Sequence, residues 1–299
     1  MNRIELTGLI GSHPLGALAS FGLLRVLAER DNRTRLVFVE RDDWIAAIDS
    51  TLGSETELLD FLKEWIAKRA PSVLRCFGDE DVRVAPSVFA EKLRESLAGP
   101  GDLELASFLV ALAADGAKDH SKGLVKPSPF YMASGQQSFL DTLRRIHGHV
   151  RKGDVWSEAL FGPWSYATPE WGGGWDPGTE RMHALRHKAP TKDKTACVAG
   201  AVWLAFEALS LFPSFAVRGR VHTVGWVEHD YLDHWRWALP TTPVGIATLR
   251  LLLASEEVAL RKPDTKRTRL REGIGAIYES TRHEFGQGYA VFRPSRRMA

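Results

Sequence analysis

The chain has 299 residues, with 39 Lys plus Arg against 37 Asp plus Glu, 44% hydrophobic and 25% charged residues, ten Trp and two Cys. A chain of this size hides roughly 75% of the surface its unfolded form exposes, so a core forms without cross-links; disorder, collagen-like repeats and a disulfide scaffold are excluded. Cys76 and Cys197 have no C-x-x-C partner, which points to a reducing setting and away from a Cys-based zinc site.

The apolar stretch 14–28 fails as a signal-peptide core, since Glu5 precedes it, Arg25 interrupts it and no small-residue cleavage site follows. Nowhere are there 18 uninterrupted apolar residues. The expectation is a soluble cytoplasmic protein without a membrane partner.

Ile4–Thr7 is β-compatible and Gly8–Gly11 reads as a turn. Ser12 then caps a helix with Pro14 in its first turn, and Leu36–Glu40 is β-rich, so the chain opens β-α-β. Asp42 or Asp43 is expected to cap a helix through Trp44 and Ile48, and Thr56 begins another that ends before Pro71. Pro86–Leu97 reads as a helix and Gly-Pro-Gly at 99–101 as a break. Residues 103–114 are apolar nearly all round, as in a buried helix. Residues 115–128 read as a polar loop, and 134–150 as an amphipathic helix.

A boundary near Gly153 divides an N-terminal α+β segment, 1–153, from a C-terminal one, 154–299, which can also pack as one globule. Residues 156–175 hold four Trp without periodicity, a composition that more often fills a core than stacks bases. Residues 196–211 form an apolar helix, 217–227 and 235–239 have β composition, and Pro243 leads into a final helical section. The expected class is α+β, helix-dominated, with short antiparallel strands.

Charge is unevenly placed. Residues 116–152 carry seven basic residues against Asp119 and Asp141, a net +5, and residues 256–299 carry +4, so the rest of the chain is acidic. Basic segments on an acidic body suit a polyanion, although solvated helix faces account for the same pattern. Lys118, Lys122 and Lys126 lie in the expected loop. Gln136 and Gln137 open the amphipathic helix, where an anion can sit or an ordinary cap suffice, and Arg144, Arg145, Arg151 and Lys152 lie along it. Arg261, Lys262, Lys266, Arg267, Arg269 and Arg271 form a second basic run, broken by Pro263. Another cluster, His222, His229, Asp230, Asp233 and His234, offers metal ligands without a recognised spacing and reads better as a surface hairpin. No P-loop, dinucleotide fingerprint or hydrolase elbow is present, and no cofactor is expected.

Four stretches carry a resemblance: Leu6-Thr7-Gly8 with His13-Pro14-Leu15-Gly16-Ala17-Leu18-Ala19-Ser20-Phe21-Gly22-Leu23-Leu24-Arg25; Ser134-Gly135-Gln136-Gln137-Ser138-Phe139-Leu140; Trp175-Asp176-Pro177 with Arg181-Met182-His183-Ala184-Leu185; and Leu204-Ala205-Phe206-Glu207-Ala208-Leu209-Ser210-Leu211-Phe212-Pro213. In this order they resemble proteins encoded beside type I CRISPR loci, particularly subtype I-G, formerly I-U. None is a catalytic signature. The resemblance implies a reduced Cascade large-subunit-like component, with other effector subunits, crRNA, target double-stranded DNA and the type I helicase-nuclease as partners. Large subunits are commonly longer, so a helical C-terminal bundle would be missing or supplied by a separate small subunit.

The leading expectation is therefore a non-catalytic nucleic-acid-binding subunit. In it the three loop lysines contact phosphate, Gln136 and Gln137 donate to bases or backbone, and the helix cations form a basic face. The alternatives are a metal-dependent nuclease built on residues 222–234 and a protein adaptor that docks through its Trp-rich segment.

Overall fold

The computed structural model describes residues 1–99, 101–119, 121–133, 138–179, 195–259, 272–285 and 289–299. In chain order the elements are β1 (Asn2–Ile10), α1 (Pro14–Arg30), β2 (Arg35–Glu40), β3 (Trp44–Ser50), α2 (Glu55–Lys68), α3 (Pro86–Leu97), α4 (Leu103–Leu112), β4 (Ala113–Lys118) and β5 (Val125–Pro127). Then follow α5 (Phe139–Lys152), α6 (Trp156–Phe161), α7 (Ala199–Ala208), β6 (Ser214–Val217), β7 (Arg220–Thr223), β8 (Trp226–His229), β9 (Leu232–Pro240), α8 (Ile246–Leu253), α9 (Glu256–Ala259), β10 (Ile274–Phe285), β11 (Tyr289–Phe292) and β12 (Arg296–Arg297).

The class is α+β, with short antiparallel sheets and the β-α-β opening that the sequence predicts. One sheet has the order β1-β3-β2; a second runs β11-β10-β9-β8 with β12 also on β10; β4-β5 and β6-β7 are separate hairpins. Leu36 and Val244 exchange backbone hydrogen bonds and so bridge from β2 to the chain beyond β9.

Helix α1 is buried along its length from Pro14 to Leu27, and α7 is buried at every residue. Helices apolar on all sides belong inside a core, and these two pack against each other. Glycine makes that approach possible: a Cβ on Gly22 would lie 1.8 Å from the Leu204 carbonyl oxygen. One continuous apolar cluster, from Leu6 and Phe21 through Phe108 and Ile146 to Trp203 and Phe292, crosses the expected boundary at Gly153. Trp156 and Trp175 are fully buried in it and Trp164 and Trp171 pack against it, so the Trp-rich segment serves the core.

Several expectations give way. Residues 44–50 form strand β3, paired with β1 and β2, instead of a helix. A short apolar run has no periodicity of its own to separate buried strand from buried helix, and the sheet decides it. Asp43 does meet the amide of Trp44, at 2.6 Å, but in a turn. Helix α1 is capped by His13 Nδ1, which accepts from the Gly16 amide, and not by Ser12. Helix α4 stops at Leu112, and the expected loop after it contains the β4–β5 hairpin. The helical section expected after Pro243, through Leu253 and on to Leu260, is present as α8 and α9, and β10–β12, for which the sequence predicts no strands, follow it and complete the sheet against β9.

Four charges lie at the junction of the helices. Glu207 of α7, with no exposure, accepts from Arg25 of α1 at 2.5 Å and from Arg69, beyond α2, at 2.8 Å. Glu104 of α4 accepts from the same two arginines at 2.8 and 2.7 Å. Truncating one member strands the others without counter-charge, so Glu207→Ala should cost about 3–5 kcal/mol in urea unfolding. A loss under about 1 kcal/mol would show that the network does not hold the helices.

Candidate nucleic-acid interface

Three neighbouring hairpins build the site. The first, β4–β5, turns over residues 119–124, where the Asp119 carboxylate accepts from the amides of Ser121 and Lys122 at 3.1 and 2.6 Å and Gly123 takes a positive φ of 66°. Asp followed by Gly within a few residues is turn chemistry, the carboxylate replacing a backbone acceptor. Those amide bonds hold the Asp119 carboxyl below its usual range. The Val125 amide bonds to the Val84 carbonyl at 2.9 Å, which ties the hairpin to the segment carrying Arg83. In consequence Lys118, Lys122 and Lys126, expected in a loop, stand exposed on one hairpin.

The second hairpin, β6–β7, packs beside the first: a Cβ on Gly116 of β4 would meet Ala216 at 2.8 Å. Its two-residue turn, Arg218-Gly219, has both residues at positive φ. The third, β8–β9, turns through Asp230 and Tyr231, again both at positive φ. Two left-handed central residues match the right-handed twist of the strands they join. An aromatic group in which Phe130 meets Trp226 and Trp235 with centroids 5.0 and 5.7 Å apart backs this hairpin and fixes its position.

Between the hairpins lies a cleft of about 570 Å³, lined by Arg83, Lys118, Lys126, Arg220 and Arg282 among the cations and by Tyr131 and Tyr231. Four acids also reach it, but most are engaged: Arg282 pairs with Glu284, Arg220 lies 3.7 Å from Glu228, and Asp119 serves the turn. Among the described residues Arg83, Lys118, Lys122 and Lys126 form no ion pair, although Arg83 feels the charge of Asp119 and Lys126 that of Asp233 and Glu284.

The other predicted cations are placed differently. Arg144 donates to the Leu74 carbonyl at 2.8 Å, Arg145 pairs with Asp141 and with Glu170 at 3.0 Å, and Arg151 donates to the Ala67 carbonyl at 3.3 Å. Helix α5 thus spends three of its four cations on its own fold, and only Lys152 has no partner among the described residues. None of the four lines the cleft. Gln136, Gln137, Arg261, Lys262, Lys266, Arg267, Arg269 and Arg271 lie outside the described residues. Sequence reasoning missed Arg83, Arg220, Arg282 and Tyr231, which reach the cleft from four separate segments and share no local pattern.

The expected metal cluster is divided. His222 stacks on Phe215 on β7, and Asp230 is 90% exposed. His229 and His234 instead converge with Glu279 of β10, which the β9–β10 register brings opposite Arg236. The two imidazoles lie face to face, centroids 3.6 Å apart and planes within 5°. An imidazole lone pair lies in its ring plane, so a cation about 2.0–2.1 Å from one nitrogen would sit well out of the plane of the other ring. Glu279 moreover accepts from Arg236 at 2.5 Å, from Arg296 at 2.7 Å and from His229 Nε2 at 3.1 Å. These residues do not fit a divalent ion; they form a hydrogen-bonded buried carboxylate.

Other reactive-looking groups are also committed. Burial pushes both Cys76 and Cys197 up to about 12, far from thiolate. His13 uses Nδ1 to cap α1 and places Nε2 3.3 Å from the buried Asp176 carboxylate.

No protein-family model and no curated protein matches this chain.

Burial alone would raise the Glu279 carboxyl, but the donors from His234, Arg236, Arg296 and His229 outweigh it and hold it well below the usual range. A carboxyl depressed in the folded state adds stability above its unfolded value of about 4.3 and loses it as pH falls. Melting temperature should therefore drop more steeply below about pH 4.3 in the native protein than in Glu279→Gln. Parallel curves would show that Glu279 carries no such coupling.

Proposed function

We propose that this chain is a non-catalytic nucleic-acid-binding subunit of a type I CRISPR effector complex, acting with crRNA, target DNA and the other subunits. The observation that carries the nucleic-acid part is the grouping of Lys118, Lys126 and Arg83, outside any ion pair among the described residues, at a cleft framed by hairpins, with the exposed Lys122 on the same β4–β5 turn. Lysine is a compact phosphate ligand, and cations without acid partners bind a polyanion without first breaking an ion pair. The CRISPR assignment rests on the sequence resemblance alone. In such a complex guide pairing reads the sequence, and a protein of this kind holds backbone. Recruitment of the helicase-nuclease is a further role that the resemblance suggests.

The nuclease reading finds no support in the parallel imidazoles and the arginine-saturated Glu279. The adaptor reading has less exposed surface to use than the sequence suggests, since Trp156 and Trp175 are buried and Trp164 and Trp171 half-buried.

The combined variant Lys118→Ala, Lys122→Ala, Lys126→Ala should weaken nucleic-acid binding across sequences. It should also flatten the dependence of log K on log salt by about 0.7–0.9 for each phosphate that is no longer neutralised. Arg145→Ala, on α5, should leave both unchanged. Unaltered affinity and slope in the triple variant would overturn the assignment of the hairpin.

A further inference from the structure

Beside these cations, the same three hairpins present side chains of a different kind. Tyr231 is 99% exposed at the mouth of the cleft, and Phe215 is 54% exposed on β6. Aromatic rings normally bury most of their area in a core, and this protein has a large core in which to do so. Phe215, however, stacks on its cross-strand partner His222, with centroids 5.7 Å apart and planes 21° apart, and neither ring lines the cleft, which leaves Tyr231 as its exposed aromatic. The cost of exposing Tyr231 is visible in the backbone too. Asp230 and Tyr231 hold φ of 51° and 63°, a region suited to Gly or Asn, in a two-residue turn.

The cleft itself limits what can enter. A cavity of about 570 Å³ has the size of a small-molecule site, enough for about one or two nucleotides. A double helix, whose major groove alone is about 12 Å wide, would have to lie across its mouth. Stacked bases inside a duplex also offer no free faces to Tyr231, whereas unpaired bases do.

We propose that this face takes unpaired nucleic acid, its phosphates following Lys118, Lys122, Lys126 and Arg83 and a base stacking on Tyr231. The inference rests on the nucleic-acid reading above and narrows it to a single strand. Charge complementarity selects a polyanion, and the exposed ring selects one with open base faces. Stacking is tolerant of base identity, so the site grips a strand without reading its sequence.

The test uses the full chain and labelled oligonucleotides of one sequence, single-stranded and as a blunt duplex, titrated by fluorescence anisotropy over a range of salt. The single strand should bind about tenfold tighter than the duplex or better. Tyr231→Gly should lower single-strand affinity roughly tenfold with the salt slope unchanged. It should also raise the melting temperature, because Gly relieves the left-handed turn and the exposed ring gives up no packing. A weaker-binding variant that melts higher has kept its fold. Phe215→Ala, outside the cleft lining, should leave affinity unchanged, and Tyr231→Phe should bind as the native chain. If the duplex binds as tightly as the single strand, or Tyr231→Gly leaves affinity unchanged, the single-strand inference fails; the lysine variant's salt response then still decides the broader reading. If neither form binds, both readings fall together.

Discussion

Glu207 sits with no solvent exposure in the middle of an apolar helix, and the arrangement of the helical layer follows from keeping it there. Burial pushes its carboxyl up, and the bonds from Arg69 and the charge of Arg25 oppose that rise. Burying a lone carboxylate costs several kcal/mol, so α1 and the end of α2 must each deliver a guanidinium to α7, and Glu104 of α4 must balance the second positive charge. The two acids differ: bonds from Arg69 and Arg25 hold the Glu104 carboxyl below its usual range, although burial works against them. Such a network adds little net stability over an apolar core, but it penalises any alternative helix register by leaving a charge unpaired.

The hairpin layer depends on that helical frame. Helix α4 ends at Leu112 and passes directly into β4, so the position of Glu104 also sets where the lysine hairpin begins. The Ser214 hydroxyl reaches the Ala111 carbonyl at 3.4 Å, tying β6 to the end of the same helix. The third hairpin is fixed instead by its aromatic base and by β10, through Glu279 and the Arg236 opposite it. The candidate site is therefore mounted on two buried ionic constructions, one under the helices and one inside the larger sheet. Its lysines stand outside ion pairs among the described residues, although four acids share the cleft with them.

How much of this the sequence discloses depends on the range of the interaction. Helices α1 and α7 are legible because they are apolar nearly all round, whereas the pairing of Arg25 with Glu207 spans 182 residues and has no local signal. The caps at Ser54 and Ser138 are local signals too, but they lie away from the expected helix starts at Thr56 and at 134. Strand β3 is not legible, because a short apolar run takes its form from its neighbours. The β4–β5 hairpin hides in a polar stretch whose alternation is interrupted by a register irregularity between Ala114 and Lys118. At the site, the three lysines are visible as a charge cluster, whereas the cations of α5 look equivalent in sequence and differ only in their internal partners. Glu279 lies 45 residues beyond His234, and only strand pairing brings them together.

The account's central claim is that nucleic acid lies against the hairpins and not along α5. Ultraviolet cross-linking of the full chain to a bound oligonucleotide, followed by peptide mapping, tests this most directly. The account predicts adducts confined to 113–127 and 214–232, with Tyr231 among the modified residues. Adducts concentrated on 139–152, or none in the hairpins, would contradict it.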